Sequence, residues 1–173
     1  AQTGFRLDNT LDSVLLRNTV VTGDASQSAR GYELISSTGR VEANTATGTD
    51  SPLEWTAVRI AYAKYMSEGQ IVVANTAAVS PPSTTTARGL WFDAGGQPVT
   101  HITPVIVTNN TFVARATTTA EVVRLDNQGF STTVLPRVDL TNNLFVADGA
   151  TTTVCVRGTH QAQAMRASPF SML

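Results

Sequence analysis

Threonine clusters beside valines constrain this chain most, because 27 of its 173 residues are threonine. The clusters are Thr84-Thr85-Thr86, Thr117-Thr118-Thr119 and Thr151-Thr152-Thr153. A β-branched side chain with a hydroxyl group suits a half-wet pleated surface. Its stiff χ1 loses little entropy there, and its oxygen meets water or a neighbouring strand. The composition therefore predicts a chain built mainly of β-strands.

Short β-type runs separated by turn signals follow one another through the second half of the chain. They recur at a spacing of roughly 8 to 12 residues, and no long helical pattern alternates with them. This spacing is typical of a single antiparallel β-sandwich or barrel of meander or jelly-roll type. The clearest unit is residues 144–157, where Asp148-Gly149 predicts a tight antiparallel hairpin, since this pair tolerates positive φ angles.

The first 22 residues differ from the β-rich remainder. Leu7, Leu11, Val14 and Leu15 recur at i, i+4, i+7 and i+8, which predicts a short N-terminal helix or an arm over residues 1–22. This segment packs on the body by default, or reaches into a neighbouring subunit.

The predicted β-rich body spans residues 23–173. Within it, residues 79–87 form the best candidate for a loop or linker, since Pro81 and Pro82 lack the backbone donor that a central strand needs.

One internal echo links Ala29-Arg30-Gly31-Tyr32 with Ala87-Arg88-Gly89-Leu90. Each copy opens a β-type run that ends in a glycine turn. Two related hairpins are one interpretation, but coincidence is preferred because the match is short and has no clean third copy.

Charge is scarce and balanced in this chain. Charged residues make up 14% of it, and the formal net charge is −1. Nothing steers the whole molecule toward a polyanion, so we expect no strong nucleic-acid binding. No apolar stretch approaches the roughly 20 residues that a membrane-spanning helix requires, so no membrane span is predicted.

No recognisable catalytic motif is present, and the sequence predicts neither an enzyme nor a cofactor nor a metal site. The only histidines, His101 and His160, are isolated, whereas a metal site usually needs three or four clustered ligands. The lone Cys155 alternates with valines and is interpreted as a small buried hydrophobe. A glycosidase-type carboxylate pair stays open in principle, with members among Glu54, Glu68, Asp93 and Glu121, although no spacing favours it.

Aromatic residues support one alternative function, a ligand- or carbohydrate-binding β-sandwich domain. Trp55, Tyr62, Tyr65 and Trp91 are the residues of this ligand platform, because flat rings can stack on the apolar faces of sugars. Core packing is the competing explanation for the same residues.

Taken together, these features favour a self-assembling structural subunit whose partners are copies of itself. A virion coat, decoration or tail component is the first expectation, and a subunit of an extracellular filament or pilus is the alternative. Location is not specified by the sequence, although a virion or extracellular assembly is favoured. The predicted assembly interface combines the N-terminal stripe with the apolar C-terminal tail: Leu7, Leu11, Leu15, Phe170, Met172 and Leu173.

Overall fold

A computed structural model describes residues 2–23, 27–49, 52–61, 69–93, 104–126, 138–159, 165–167 and 171–172. These residues form eighteen short strands, arranged in six coils of three strands each. Coil 1 contains β1 (Gln2–Asp8), β2 (Ser13–Leu16) and β3 (Thr19–Thr22), and coil 2 contains β4 (Ser28–Ile35), β5 (Gly39–Glu42) and β6 (Thr45–Gly48). Coil 3 contains β7 (Glu54–Ala61), β8 (Ile71–Ala74) and β9 (Ala77–Val79), and coil 4 contains β10 (Thr86–Asp93), β11 (Val105–Thr108) and β12 (Thr111–Arg115). Coil 5 contains β13 (Thr119–Asp126), β14 (Val138–Thr141) and β15 (Leu144–Asp148), and coil 6 contains β16 (Thr152–Thr159), β17 (Met165–Ala167) and β18 (Ser171–Met172).

Every strand pairs with the strand three positions away along the chain, and every pairing is parallel. The first strands of the six coils form sheet A, the second strands form sheet B and the third strands form sheet C. The molecule is therefore a three-sided parallel β-solenoid, in which each coil buries its inward side chains against the next coil.

The predicted antiparallel sandwich or barrel is wrong, although the mainly β composition is confirmed. Strands that follow one another in the chain do not pair, because the chain turns a corner into another sheet after each strand. The predicted hairpin fails for this reason: β15 lies in sheet C and β16 lies in sheet A. The run of short strands was recognised, but the pairing partner of each strand is a full coil away.

The predicted N-terminal helix is also wrong, since residues 2–22 form the strands β1 to β3 and the corners between them. Leu7 is in β1 and Leu15 is in β2, and both pack into the core. Between the two strands the chain turns through Asn9 and Asp12, which have φ angles of 52° and 51°. The helical spacing of the leucines is thus a coincidence of strand length and corner length.

The corners between sheets B and C share one backbone conformation. In each of the five described corners of this kind, one residue has a left-handed φ: Arg17 (55°), Ala43 (53°), Asn75 (50°), Asn109 (56°) and Asn142 (54°). Asparagine adopts this region more readily than most residues with a side chain. The next residue in each corner is Asn18, Asn44, Thr76, Asn110 or Asn143.

The side chains that follow these left-handed residues connect neighbouring coils by hydrogen bonds. Asn110 Oδ1 accepts from the Thr76 N–H at 2.9 Å, and Asn110 Nδ2 donates to the Val73 carbonyl at 2.8 Å. Asn143 repeats the same two bonds one coil further along, with the Asn110 N–H and the Val107 carbonyl. We call these stacked asparagine hydrogen bonds the corner ladder. They supply partners for buried backbone groups at a corner, where hydrogen bonds between strands cannot do so.

Thr76 interrupts this ladder with a shorter side chain, whose hydroxyl lies 3.4 Å from the Val41 carbonyl. We expect Thr76→Asn to raise the free energy of unfolding by about 1 kcal/mol, because an amide at this position can reach Val41 and accept from the Asn44 N–H. Urea denaturation would measure the gain. Thr47→Asn, on the outer face of sheet C, is the matched control and should give none; equal changes in the two variants would contradict the prediction.

The solenoid interior is filled by stacked side chains in equivalent positions of successive coils. Phe112 and Phe145 stack with ring centroids 6.1 Å apart and nearly parallel planes. Tyr32 is buried and its hydroxyl donates to the carbonyls of Asn18 and Thr45; burial raises its pKa to about 12, although the Thr45 bond opposes this shift. Such regular stacking is what holds adjacent coils in register.

The sequence echo at Ala29 and Ala87 is part of the solenoid repeat. Ala29 pairs with Trp55, which pairs with Ala87, so the two copies occupy equivalent positions of β4 and β10. Glycine is needed at the third position of each copy, since a Cβ at Gly31 would lie 2.7 Å from the Ala57 carbonyl oxygen and one at Gly89 would lie 2.6 Å from Phe112 Cβ. The match between the two segments therefore reflects the repeat of the solenoid and is not a coincidence.

Candidate functional site

The three outer faces of the solenoid differ in their chemistry. Sheet A carries charged side chains, and sheet B carries a mixture of charged and apolar ones. The outer positions of sheet C from β3 to β15 are uncharged along most of their length.

Sheet A places charges on its outside because two consecutive residues face inward in the middle of each strand. In β4 these are Gly31 and Tyr32, so Arg30 and Glu33 share the outer face three residues apart. In β13 they are Val122 and Val123, and Glu121 pairs with Arg124 in the same way. This doubling breaks the period of two that a strand normally shows.

Glu33 is a fully buried carboxylate at the N-terminal half of sheet A. Its Oε1 atom accepts from Arg59 Nη1 at 2.6 Å and lies 3.0 Å from Arg30 Nη1. Arg6 Nη1 approaches the other oxygen at 3.8 Å. Three coils are thus tied together by one side chain.

Glu121 has the equivalent role at the other half of sheet A and is also fully buried. Arg157 Nη1 donates to it at 2.6 Å, and Arg88 Nε and Arg124 Nη1 each donate at 3.2 Å. Burial by itself raises the pKa of Glu121, but the hydrogen bond from Arg157 and the charges of Arg124 and Arg88 outweigh it, and the pKa lies below its ordinary value. The carboxylate is therefore held in its charged form by its neighbours.

Trp91 lies between the two carboxylate clusters on the outer face of sheet A. The guanidinium carbons of Arg59 and Arg88 are each 4.9 Å from its ring centroid. Its indole N–H donates to Asp126 at 2.9 Å, and Arg124 Nε donates to the same carboxylate oxygen at 2.8 Å. The ring is partly exposed, and its position is determined by contacts from three side chains.

Arg59 joins this region to the first cluster. Its Nη2 atom donates to Asp93 at 2.5 Å, and its Nη1 atom donates to Glu33. Burial alone lowers the pKa of Arg59, but the hydrogen bonds to Asp93 and Glu33 outweigh this, and the pKa is raised above its ordinary value. Asp93 and Asp126 are neighbours in the register of β10 and β13, each at the last residue of its strand.

The longer connections of the solenoid begin at the C-terminal ends of the sheet A strands, the end at which Asp93 and Asp126 lie. In coils 1 and 2, residues 9–12 and 36–38 connect sheet A to sheet B. In coils 3, 4 and 5 the same connection covers residues 62–70, 94–104 and 127–137. In repeat proteins, insertions concentrated on one side often mark the binding face.

Sheet C presents a different kind of surface. Twelve side chains point outward from β3 to β15, of which Arg115 and Asp148 end β12 and β15, and the other ten are Thr19, Val21, Thr45, Thr47, Ala77, Val79, Thr111, Val113, Leu144 and Val146. None of these is charged, and Val21 and Val79 are 58% and 36% exposed. At the margin, Arg115 Nε lies 3.7 Å from Asp148, and both side chains are more than half exposed. We call the ten uncharged residues the sheet C face.

Residues of the predicted assembly interface occupy different environments. Leu15 is buried, Leu7 packs partly against the core, and Leu11 is 66% exposed at the corner between β1 and β2. Phe170 and Leu173 lie outside the described residues. Met172 is in β18, where its backbone pairs with Phe145. Of the six predicted residues, Leu11 is the one whose described side chain is open to solvent.

Residues of the predicted ligand platform are also separated. Trp55 is fully buried, and its indole N–H donates to Thr22 Oγ1 at 3.1 Å, so its ring is part of the core. Tyr62 and Tyr65 lie outside the described residues. Trp91 is on the outer face, as a platform residue must be.

Among the residues that the structure describes, the other chemistry-bearing side chains form no cluster. Cys155 is partly buried against the core, with its Sγ 3.9 Å from the Phe145 carbonyl, and both histidines lie outside the described residues. Within the described ranges there is no group of three metal-ligating side chains. The described part of the chain also contains no helix with the length and apolar character needed to cross a bilayer.

The buried cluster around Glu121 was not predicted from the sequence as a unit. Residues 105–114 (VIVTNNTFVA) and 138–147 (VDLTNNLFVA) are identical at seven of ten positions, and the three threonine clusters recur at almost the same interval. This period is the signal that would have aligned Arg88, Glu121 and Val154 on adjacent strands.

No protein-family model, curated protein or solved structure matches the chain.

Proposed function

We propose that the protein is a self-assembling structural subunit that contacts copies of itself through the sheet C face. The observation that carries the proposal is the absence of charge from ten of the twelve outward positions of β3 to β15, which extend over five consecutive coils. Surfaces that stay free in water normally interrupt such a row with charged side chains, particularly lysine.

The shape of this face favours packing against another sheet. Parallel strands in register present their β-branched side chains in straight rows, and two such faces can interdigitate at about 10 Å separation. Five strands at about 4.8 Å spacing, with four residues at about 3.3 Å each, give a patch of roughly 300 Å². A patch of this size lies below a standard protein interface, so we expect a weak contact that forms at raised concentration.

A solenoid is well suited to a structural role, because each coil extends the rod by one strand spacing of about 4.8 Å and is bonded to its neighbours along three sheets. A virion coat, decoration or tail component is the first form of the proposal, and an extracellular filament subunit is the second. Strong nucleic-acid binding is not part of it, because the formal net charge is −1 and the cations of sheet A are paired with carboxylates.

Light scattering over a concentration series tests the proposal, with negative-stain microscopy of the most concentrated sample. We expect the mean mass of the natural chain to rise with concentration beyond that of Val79→Asp. The substituted side chain points outward, so the loss is not expected to come from unfolding. A charge buried between two sheets without a partner costs several kcal/mol.

Val72→Asp is the matched control, since Val72 is an outward valine in the same coil but on sheet B. It should assemble like the natural chain. A mean mass of the natural chain no higher than that of Val79→Asp, or equal loss of assembly in both variants, would contradict the proposal.

A further inference from the structure

We infer that the outer end of coil 1 is a docking surface for a second copy of this chain, bound head to head about a twofold axis. Among the described strands, none pairs with the outer edges of β1, β2 and β3, so each of the three sheets ends there in a row of unpaired backbone groups. This contact joins two rods at their ends, whereas the sheet C face joins them side by side, and it does not depend on that face.

Exposed apolar side chains are concentrated in coil 1. Seven large apolar residues are exposed in the described part of the chain, and the five that belong to coil 1 are Phe5, Leu11, Val14, Leu16 and Val21. The strands β2 and β3 carry no charge, and the two charges of β1, Arg6 and Asp8, pair with each other at 2.9 Å. Edge strands that stay free in water are normally protected by lysine, proline or inward charges, and residues 2–22 contain neither lysine nor proline.

The backbones of β2 and β3 are oriented for pairing across this end. The Ser13 N–H donates to coil 2 at 3.2 Å, so the next residue, Val14, directs its N–H and carbonyl away from coil 2. In sheet C the Thr45 N–H donates back to coil 1 at 2.9 Å. Because Thr19 occupies the position of Thr45 one coil earlier, the backbone groups of Thr19 and Val21 also point to the outer end.

A twofold axis places β2 of one copy antiparallel to β3 of the other, and these strands have four residues each. In the register that aligns Leu15 with Val20 of the second copy, inward residues meet inward residues and outward residues meet outward residues at all four positions. Val14 then lies opposite Val21, an apolar pair whose backbone groups both point to the partner. A second copy offers three such edges on the same triangular outline, which a single peptide strand cannot do.

The strand β1 also matches its own counterpart. Its two consecutive inward residues, Gly4 and Phe5, are flanked on both sides by the outward residues Thr3 and Arg6, so the pattern is the same in both directions. An antiparallel pair centred between Gly4 and Phe5 places the Phe5 ring of each copy over Gly4 of the other. Phe5 is 38% exposed, and its covered side stacks on Tyr32 with ring centroids 5.8 Å apart. The contact would therefore cover the open side of this ring.

A head-to-tail contact, with coil 6 of one copy on coil 1 of the next, fits these edges less well. Continuing the register of sheet A would place Arg6 directly beside Arg157, and like charges in that position are destabilising. The strands β17 and β18 have three and two residues, so they would leave part of β2 and β3 unpaired. The head-to-head contact meets neither difficulty.

Disulfide cross-linking of the full chain tests the inference. In a hydrogen-bonded antiparallel pair the Cα atoms lie about 5.5 Å apart, within the range of about 4.4 to 6.8 Å that a disulfide spans. Val14→Cys chains are mixed with Val21→Cys chains and oxidised, both in a background of Cys155→Ala and Val79→Asp. We expect a covalent dimer that contains one chain of each kind. Val72→Cys replaces Val14→Cys as the matched control, since Val72 lies in the same row of sheet B two coils away, and should give no such dimer.

Sedimentation velocity of Val79→Asp provides the second measurement. We expect a monomer–dimer equilibrium that stops at the dimer, with a Kd on the order of 10 μM, because the end of one coil is smaller than a standard interface. Val14→Lys should weaken the dimer at least about tenfold, and Val72→Lys should leave it unchanged. A monomer at every concentration, growth beyond the dimer, a dimer that does not cross-link, or equal effects of the two lysine variants would each overturn the inference. Because Val79→Asp blocks the sheet C face, failure of the proposed structural role leaves both measurements intact.

Discussion

Glu121→Gln is expected to lower the free energy of unfolding by about 2 to 3 kcal/mol. The carboxylate is fully buried and accepts hydrogen bonds from three arginines on three different strands. An amide of the same shape removes the negative charge and leaves three guanidinium groups facing one another. Removing one partner of a buried ion pair commonly costs about 3 to 5 kcal/mol. We expect a smaller cost than this range because Arg124 and Arg157 still reach solvent.

The same residue makes stability depend on pH. Because the pKa of Glu121 is lower in the folded chain than its ordinary value of 4.5, its contribution is present above about pH 4.5 and is lost as pH falls through the folded pKa. Urea denaturation between pH 7 and pH 3 should therefore show a smaller acid-induced loss for Glu121→Gln than for the natural chain.

Asp148→Asn is the matched control for this prediction. Asp148 pairs with Arg115 at 3.7 Å on the surface, and breaking that pair should cost less than about 1 kcal/mol. A similar cost for Glu121→Gln and Asp148→Asn, or parallel pH profiles for Glu121→Gln and the natural chain, would show that the buried cluster does not stabilise the fold.

Asn110→Ala is expected to cost about 3 kcal/mol, because it removes the centre of the corner ladder. The side chain accepts from the Thr76 N–H and donates to the Val73 carbonyl and to Asn143 Oδ1. Alanine leaves the buried Thr76 N–H without this partner and also removes the bonds to the Val73 carbonyl and Asn143. A buried group that is left unsatisfied costs about 1 to 3 kcal/mol. Urea denaturation at pH 7 measures the change.

Asn18→Ala provides the comparison at the same corner of coil 1. The Asn18 side chain makes one hydrogen bond, a 3.2 Å contact to Asn44 Oδ1, and is not fully buried. We expect a cost of about 1 kcal/mol there. Equal losses in the free energy of unfolding for Asn110→Ala and Asn18→Ala would show that the hydrogen bonds of the Asn110 side chain are not the source of its effect.

Much of the secondary structure could be predicted from the sequence, because β-branched residues and turn signals act locally. The Leu144 and Thr152 strands were predicted near their actual positions. Their pairing was not, because Asp148-Gly149 is compatible with a hairpin and also with a corner between two sheets. The angle at which the chain leaves that corner depends on contacts with coils far away in sequence.

The candidate sites were predicted only in part, for the same reason. Trp91 was identified as a residue that could carry a ligand platform, and it lies on an outer face. Trp55 was given the same role, but its position in β7 points it into the interior, where Thr22 of coil 1 accepts its indole N–H. When two consecutive residues of a strand face inward, the alternation of residue types does not show which side of the strand faces the core.

By itself, the sequence determined that the chain forms short strands, that charge is scarce, and that threonine and valine dominate its surfaces. Only the tertiary structure decided which strands pair, which side of each strand faces the core, and how charge is divided among the three faces. Propensity and turn chemistry depend on a few adjacent residues, whereas parallel pairing joins residues a whole coil apart, as Glu121 and Arg157 are joined. Such pairing aligns charged residues of different coils along sheet A, whereas the ten residues of the sheet C face are uncharged.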